Sequence, residues 1–99
     1  MGILTSFSII GNHIMREYAG EFCIFCSDEV QDGAVSGMPS LNPDQVFLWS
    51  KLESGVGELD ALVNELAKHS DLSPDDAEGD VQEFLARLMN AGIVEGSIR

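Results

Sequence analysis

Cys23 and Cys26 form a CxxC pair, a spacing that recurs in zinc sites and in thiol redox centres. A zinc site needs further thiol or imidazole ligands, and the two histidines of the chain, His13 and His69, lack ligand spacing. The pair also lies in a β-type segment, where residues three apart point to opposite faces of a sheet. Buried structural cysteines are therefore the first interpretation. A metal site and a disulfide or redox pair are the alternatives.

The chain carries 17 acidic and five basic residues, which gives a formal net charge of −12. Many acidic residues follow Pro74, where they complement the positive end of a predicted helix dipole. They form neither a catalytic carboxylate pair nor a metal-binding loop, so no catalytic residue, metal site or cofactor is predicted. Nucleic acid is an unfavourable partner because its binding normally requires a basic patch. An acidic surface also repels anionic membranes and attracts basic or neutral partners.

The length of 99 residues predicts a single domain over residues 1–99. Hydrophobic residues make up 44% of the chain, which is enough for a thin core. No apolar run reaches the roughly 18 residues that a membrane span needs. The apolar N-terminal stretch lacks the basic region and cleavage site of a signal peptide. A cytoplasmic protein is the expectation.

Three β-type segments come first. Residues 13–20 partly alternate in polarity, residues 21–30 are aromatic and β-rich, and Ala19-Gly20 between them predicts a tight hairpin turn. Residues 34–41 form a weaker third segment that contains a proline. Because proline in a sheet belongs at an edge or a strand end, the third strand is predicted at an exposed edge.

Three helical patterns follow the strands. The first is predicted over residues 43–53, with Asn42 as its N-cap and Trp49 in the core. The second is predicted over residues 58–69 and the third over residues 74–91. The expected fold class is therefore α+β, with a three-stranded antiparallel sheet followed by three helices.

The third helix is apolar on one face and on one flank. At about 100° per residue, its core stripe is Ala77, Val81, Phe84, Leu88 and Ala91. Leu85 and Met89 widen this stripe toward Glu78 and Gln82. The opposite flank is charged and is expected to face solvent: Asp80, Glu83 and Arg87. Two interpretations stay open, a wider core stripe or a groove wall in which a flexible methionine adapts to a ligand.

Several short motifs stand in order along residues 13–95: REYAGEF, Leu41-Asn42 before Phe47-Leu48-Trp49, and Asp80-Val81 to Phe84-Leu85 before Ala91-Gly92-Ile93-Val94. In order and spacing they resemble the PqqD-like family, the RiPP recognition elements. The resemblance implies a three-stranded antiparallel sheet with a winged-helix-like set of three helices. It also implies a protein that is not an enzyme.

The resemblance further implies a peptide partner. Such modules bind the leader of a ribosomally made precursor peptide, which adds as an extra strand to the third strand beside the third helix. The implied leader-binding residues are Ala34, Val35, Ser36, Gly37 and Met38 on the strand and Glu78, Gln82, Leu85 and Met89 on the helix. The modifying enzyme could be a radical SAM maturase, a cyclodehydratase or a leader peptidase. A homodimer formed by strand exchange stays open.

Two other classes of protein remain as alternatives. A winged-helix DNA-binding or regulatory domain has a similar order of helices, although the exposed side of the third helix is acidic. A zinc or redox protein would use Cys23 and Cys26. The sequence identifies neither the precursor peptide nor the chemistry of the modifying enzyme.

Overall fold

The computed structural model describes residues 4–26 and 37–98. In chain order the elements are β1 (Leu4–Ile9), β2 (His13–Tyr18), β3 (Glu21–Cys26), β4 (Gly37–Leu41), α1 (Pro43–Glu53), α2 (Leu59–Ser70), α3 (Pro74–Asn90) and β5 (Val94–Ile98). Strands β2, β3 and β4 form a three-stranded antiparallel sheet. This sheet and the three helices confirm the predicted α+β class. In the described part of the chain, no helix has the length and apolar character needed to cross a membrane.

The β2–β3 hairpin closes through a turn of two residues. Ala19 has a φ of 52° and Gly20 a φ of 87°, so both central residues have positive φ. This is the requirement of the type I′ turn, whose twist matches that of the flanking strands. The turn predicted at Ala19-Gly20 is therefore confirmed, although alanine is a costly residue in this conformation.

Strand β4 lies at the edge of this sheet and contains a bulge. Among the described residues it pairs with β3 alone, which confirms the predicted edge position. Pro39 and Ser40 lie opposite the single Cys23, so the pairing register shifts there. Ser40 has a φ of 60°, and its Oγ donates a hydrogen bond of 3.2 Å to Glu21 Oε1. Residues 34–36 of the predicted strand lie outside the described residues.

Helix α1 begins at its predicted cap, and α3 also begins with a side-chain cap. Gln45 N donates to Asn42 Oδ1 at 2.8 Å, and Asn42 N donates to Gln45 Oε1 at 2.9 Å, which forms a capping box at α1. Ser73 Oγ accepts from Asp76 N at 3.2 Å at the start of α3. The observed limits of the helices differ from the predicted limits by at most one residue at each end.

The sequence does not predict the second sheet. Strands β1 and β5 pair in antiparallel orientation, and neither belongs to the three strands that the sequence predicts. The other side of β1 contacts the segment before α2, where Phe7 N donates to Gly57 O at 2.8 Å. A Cβ at position 57 would lie 2.0 Å from Phe7 O, so only glycine fits this approach.

The core contains side chains from all three helices and from both sheets. Trp49 is fully buried, as predicted. The predicted core stripe of α3 is confirmed at four positions: Ala77, Val81, Phe84 and Leu88. The prediction for Ala91 is wrong, because α3 ends at Asn90 and Ala91 is its exposed C-cap.

Candidate functional site

The CxxC pair lies on a regular strand. Cys23 is half-buried with a free thiol, and it is paired with Arg16, while position 26 is paired with His13. The pairing of β2 with β3 runs without a bulge, so positions 23 and 26 belong to opposite faces of the sheet. In residues 4–26 and 37–98, no group of three His, Cys, Asp or Glu side chains could hold a metal ion.

His69 takes part in packing between α1 and α2. Its ring stacks on Phe47 with the ring centroids 3.9 Å apart and an interplanar angle of 8°. Lys51 Nζ lies 5.4 Å from the Phe47 centroid and 3.4 Å from Glu65 Oε2. Exposed contacts of this kind each contribute up to about 1 kcal/mol. The cluster therefore joins the two helices and shows no catalytic arrangement.

The strand side of the predicted site is the outer edge of β4. Gly37 and Met38 lie on this strand, before the bulge. Pro39 has no N–H to donate to a neighbouring strand. A regular ladder on this edge would thus end where the bulge begins. The other predicted strand residues lie outside the described part of the chain: Ala34, Val35 and Ser36.

The helix side of the predicted site is only partly accessible. Glu78 and Gln82 are exposed, and Gln82 Nε2 donates to Glu78 Oε1 at 3.2 Å. Met89 is half-buried and packs against the core. Leu85 is 2% exposed and belongs to the core. The interpretation of Leu85 as part of an open groove wall is therefore corrected, because its side chain is covered in this structure and widens the core stripe.

A polar concavity lies on the opposite flank of α3, which the pattern assigns to solvent. It has a volume of about 180 Å³ and is lined by Asn42, Asp44, Gln45, Leu48, Asp80, Glu83, Phe84 and Arg87. Leu48 and Phe84 are each 2% exposed and form an apolar floor. Helical spacing places the lining residues of α3 on one side of that helix. The sequence does not show that the start of α1 packs beside them.

A second, apolar concavity lies on the other side of the junction between β4 and α1. Its volume is about 370 Å³, and its lining residues are Gly20, Phe22, Leu41, Pro43 and Val46. It shares no lining residue with the polar concavity. The end of β4 thus lies beside two recesses of different chemistry.

These features define a small α+β domain. Among the described residues, its edge strand β4 leads directly into a layer of helices. Comparison with family models gives a match over residues 30–94 to the PqqD family, described as coenzyme PQQ synthesis protein D.

The match covers well over half of the chain, so the chain belongs to the PqqD family. It includes β4 and all three helices and leaves β1, β2 and β3 outside. Neither a curated protein nor a solved structure matches the chain. Membership indicates an accessory protein of PQQ or RiPP biosynthesis.

Proposed function

We propose that the protein binds the leader of a ribosomally made precursor peptide and presents that peptide to a modifying enzyme. The observation that carries the proposal is the edge position of β4 in a domain that matches the PqqD family from residue 30 onward. Strand addition requires a strand edge whose backbone groups lack a neighbour. Among the described residues, β4 pairs on one side only.

The affinity must come mainly from side chains. Each backbone hydrogen bond contributes about 1 kcal/mol net, and β4 has five residues, one of which is a proline. Buried apolar area adds about 25 cal/mol per Å², so a few apolar anchors outweigh the short ladder. The half-buried Met89 and the apolar concavity at Phe22, Leu41 and Val46 supply such contacts.

The proposed contacts keep most of the residues named from the sequence. They are Ala34, Val35, Ser36, Gly37 and Met38 on the strand and Glu78, Gln82 and Met89 on the helix. Leu85 takes a different part, because its buried side chain supports α3 from the core. The peptide would thus touch the helix surface that Leu85 holds in place.

The proposed module is non-catalytic and works with a separate enzyme. A radical SAM maturase, a cyclodehydratase and a leader peptidase are all compatible partners, and the cytoplasm is the expected compartment. The chain has five basic residues against 17 acidic residues, which gives no support to the DNA-binding alternative.

The proposal is tested by titrating the 15N-labelled chain with synthetic leader segments of candidate ribosomally made precursor peptides. We expect backbone amide shifts at Gly37, Met38 and Leu41, and saturation with a single site. Shifts confined to the far side of the helices, or none at all, would contradict strand addition at β4.

A pair of variants separates binding from folding. Met89→Asp places a charge at the half-buried position and should weaken peptide binding at least about tenfold, since an apolar anchor is lost. Ala86→Asp adds the same charge to the exposed side of the same helix and should change affinity less than about twofold. If Met89→Asp keeps full affinity while remaining folded, Met89 does not contact the peptide.

A further inference from the structure

The polar concavity between α1 and α3 has a chemistry that strand addition alone does not use. We infer that it accepts a lysine or arginine side chain of the bound peptide, an inference that rests on the proposed peptide-binding function. The concavity would then set a sequence preference in addition to the backbone pairing along β4.

The size of the concavity suits one long side chain. Its volume of about 180 Å³ is well above the roughly 10–15 Å³ that a single water needs. It is also below the roughly 300–1,000 Å³ of small-molecule pockets. The buried Leu48 and Phe84 form its floor. An apolar floor suits the methylene stem of lysine or arginine, whose charged head stays at the polar rim.

The rim is negatively charged. Asp44, Asp80 and Glu83 supply three carboxylates against the one guanidinium of Arg87, which leaves two negative charges. In the described part of the chain, the carboxylates of Asp80 and Glu83 have no ion pair or hydrogen bond. Asp44 Oδ1 accepts a hydrogen bond from Ser70 Oγ, which holds that carboxylate in place. A cationic head group is the complement of this rim.

The start of α1 does not convert the concavity into an anion site. Helix N-termini attract anions through unsatisfied backbone N–H groups. Here Gln45 N is occupied by the Asn42 side chain, and Asn42 N is occupied by the Gln45 side chain. Pro43 has no N–H. The helix start therefore offers few donors, and the carboxylates decide the sign of the ligand.

The location agrees with a peptide that extends along β4. Strand β4 ends at Leu41, and the next residue, Asn42, already lines the concavity. A regular ladder on this edge ends at Met38, before the bulge, so a peptide needs about four further extended residues, roughly 13 Å at 3.3 Å per residue, to reach the level of Asn42. The chain charge of −12 also steers basic peptides toward the surface.

The test is a selection from random 12-residue peptides displayed on phage, with the full chain as bait. We expect the retained peptides to be enriched in lysine or arginine at a fixed distance from an apolar, β-type segment. A synthetic copy of one retained peptide, and its Lys→Gln or Arg→Gln version, then serve as titration probes.

Two matched variants locate the contact. Glu83→Gln lies at the concavity and should weaken binding of the basic peptide by about three- to fivefold, while binding of the Gln version is unchanged. Glu53→Gln is the same substitution at the exposed end of α1, at a residue that does not line the concavity, and should change affinity less than twofold. Both residues are exposed, so both variants should fold.

The outcomes separate the inference from the function on which it rests. Retained peptides without basic enrichment, or equal effects of Glu83→Gln and Glu53→Gln, would overturn the basic-residue pocket and leave peptide binding standing. A selection that retains no peptide would overturn the proposed function, and the inference with it.

Discussion

Gly57→Ala tests how β1 is attached to the rest of the domain. A Cβ at position 57 would lie 2.0 Å from Phe7 O, and contacts under 3.0 Å do not occur for Cβ atoms. The two segments must therefore separate by at least 1.0 Å, the difference between these two distances. The hydrogen bond from Phe7 N to Gly57 O, now 2.8 Å, would be lost.

The expected loss of stability follows from these contacts. The hydrogen bond contributes about 1 kcal/mol, and full burial of a phenylalanine side chain contributes about 1.5–3 kcal/mol. Phe7 is 8% exposed and belongs to the core, so its partial displacement adds to the loss of the bond. Alanine also lowers the conformational entropy of the unfolded chain, and this effect offsets about 0.4–1 kcal/mol of the lost stability. If about half of the Phe7 burial is lost, the net expectation is a decrease of about 1–2 kcal/mol in the free energy of unfolding.

Urea denaturation followed by the fluorescence of Trp49, the one tryptophan and a fully buried side chain, measures this free energy. Gly79→Ala is the matched control. It lies within α3, and a Cβ there meets no atom within 4 Å. Alanine in a helix interior should stabilise the protein by about 0.5–1 kcal/mol. If Gly57→Ala is as stable as the wild-type protein, the close approach of β1 to Gly57 does not exist.

Three further substitutions address local features. Asn42→Ala removes the N-cap of α1 and should lower the free energy of unfolding, measured in urea, by about 1 kcal/mol. Ala19→Asn should raise the free energy of unfolding by about 0.5–1 kcal/mol, because asparagine tolerates a φ of 52°. The thermal unfolding midpoint should rise accordingly. Leu85→Asp should lower the free energy of unfolding by at least about 3 kcal/mol, whereas Met89→Asp should lower it less. Thermal melting followed by circular dichroism compares the two variants.

Each of these substitutions has an outcome that contradicts its reasoning. A stable Asn42→Ala variant would mean that the capping box contributes nothing. A lower melting temperature for Ala19→Asn would argue against the type I′ turn. A folded Leu85→Asp variant as stable as Met89→Asp would place Leu85 at the surface and restore it as part of a groove wall.

The predictions that the structure confirms came from local sequence signals. Asn42-Pro43 and Ser73-Pro74 define helix starts because a cap acts on backbone groups within three residues of it. Ala19-Gly20 defines a hairpin turn for the same reason, since both φ angles belong to the turn itself. The edge position of β4 follows from Pro39, whose missing N–H is a property of the residue alone.

Helical periodicity predicted which residues lie at the centre of the buried face of α3, but it did not predict how wide that face is. It placed Val81, Phe84 and Leu88 in the core, as the structure has them. It could not decide whether Leu85 is covered, because that depends on what packs against the helix. The same helical spacing predicted that Asp80 and Glu83 face solvent, although they line a recess beside α1.

The sequence by itself determined the order of the central sheet and helices, because caps, turns and apolar spacing act between residues close in the chain. Only the tertiary structure decided that β1 pairs with β5, that Gly57 must approach Phe7, and that the start of α1 encloses a charged recess on α3. These contacts join residues that are distant in the chain. Their geometry depends on how all the elements pack together, and no local pattern records it.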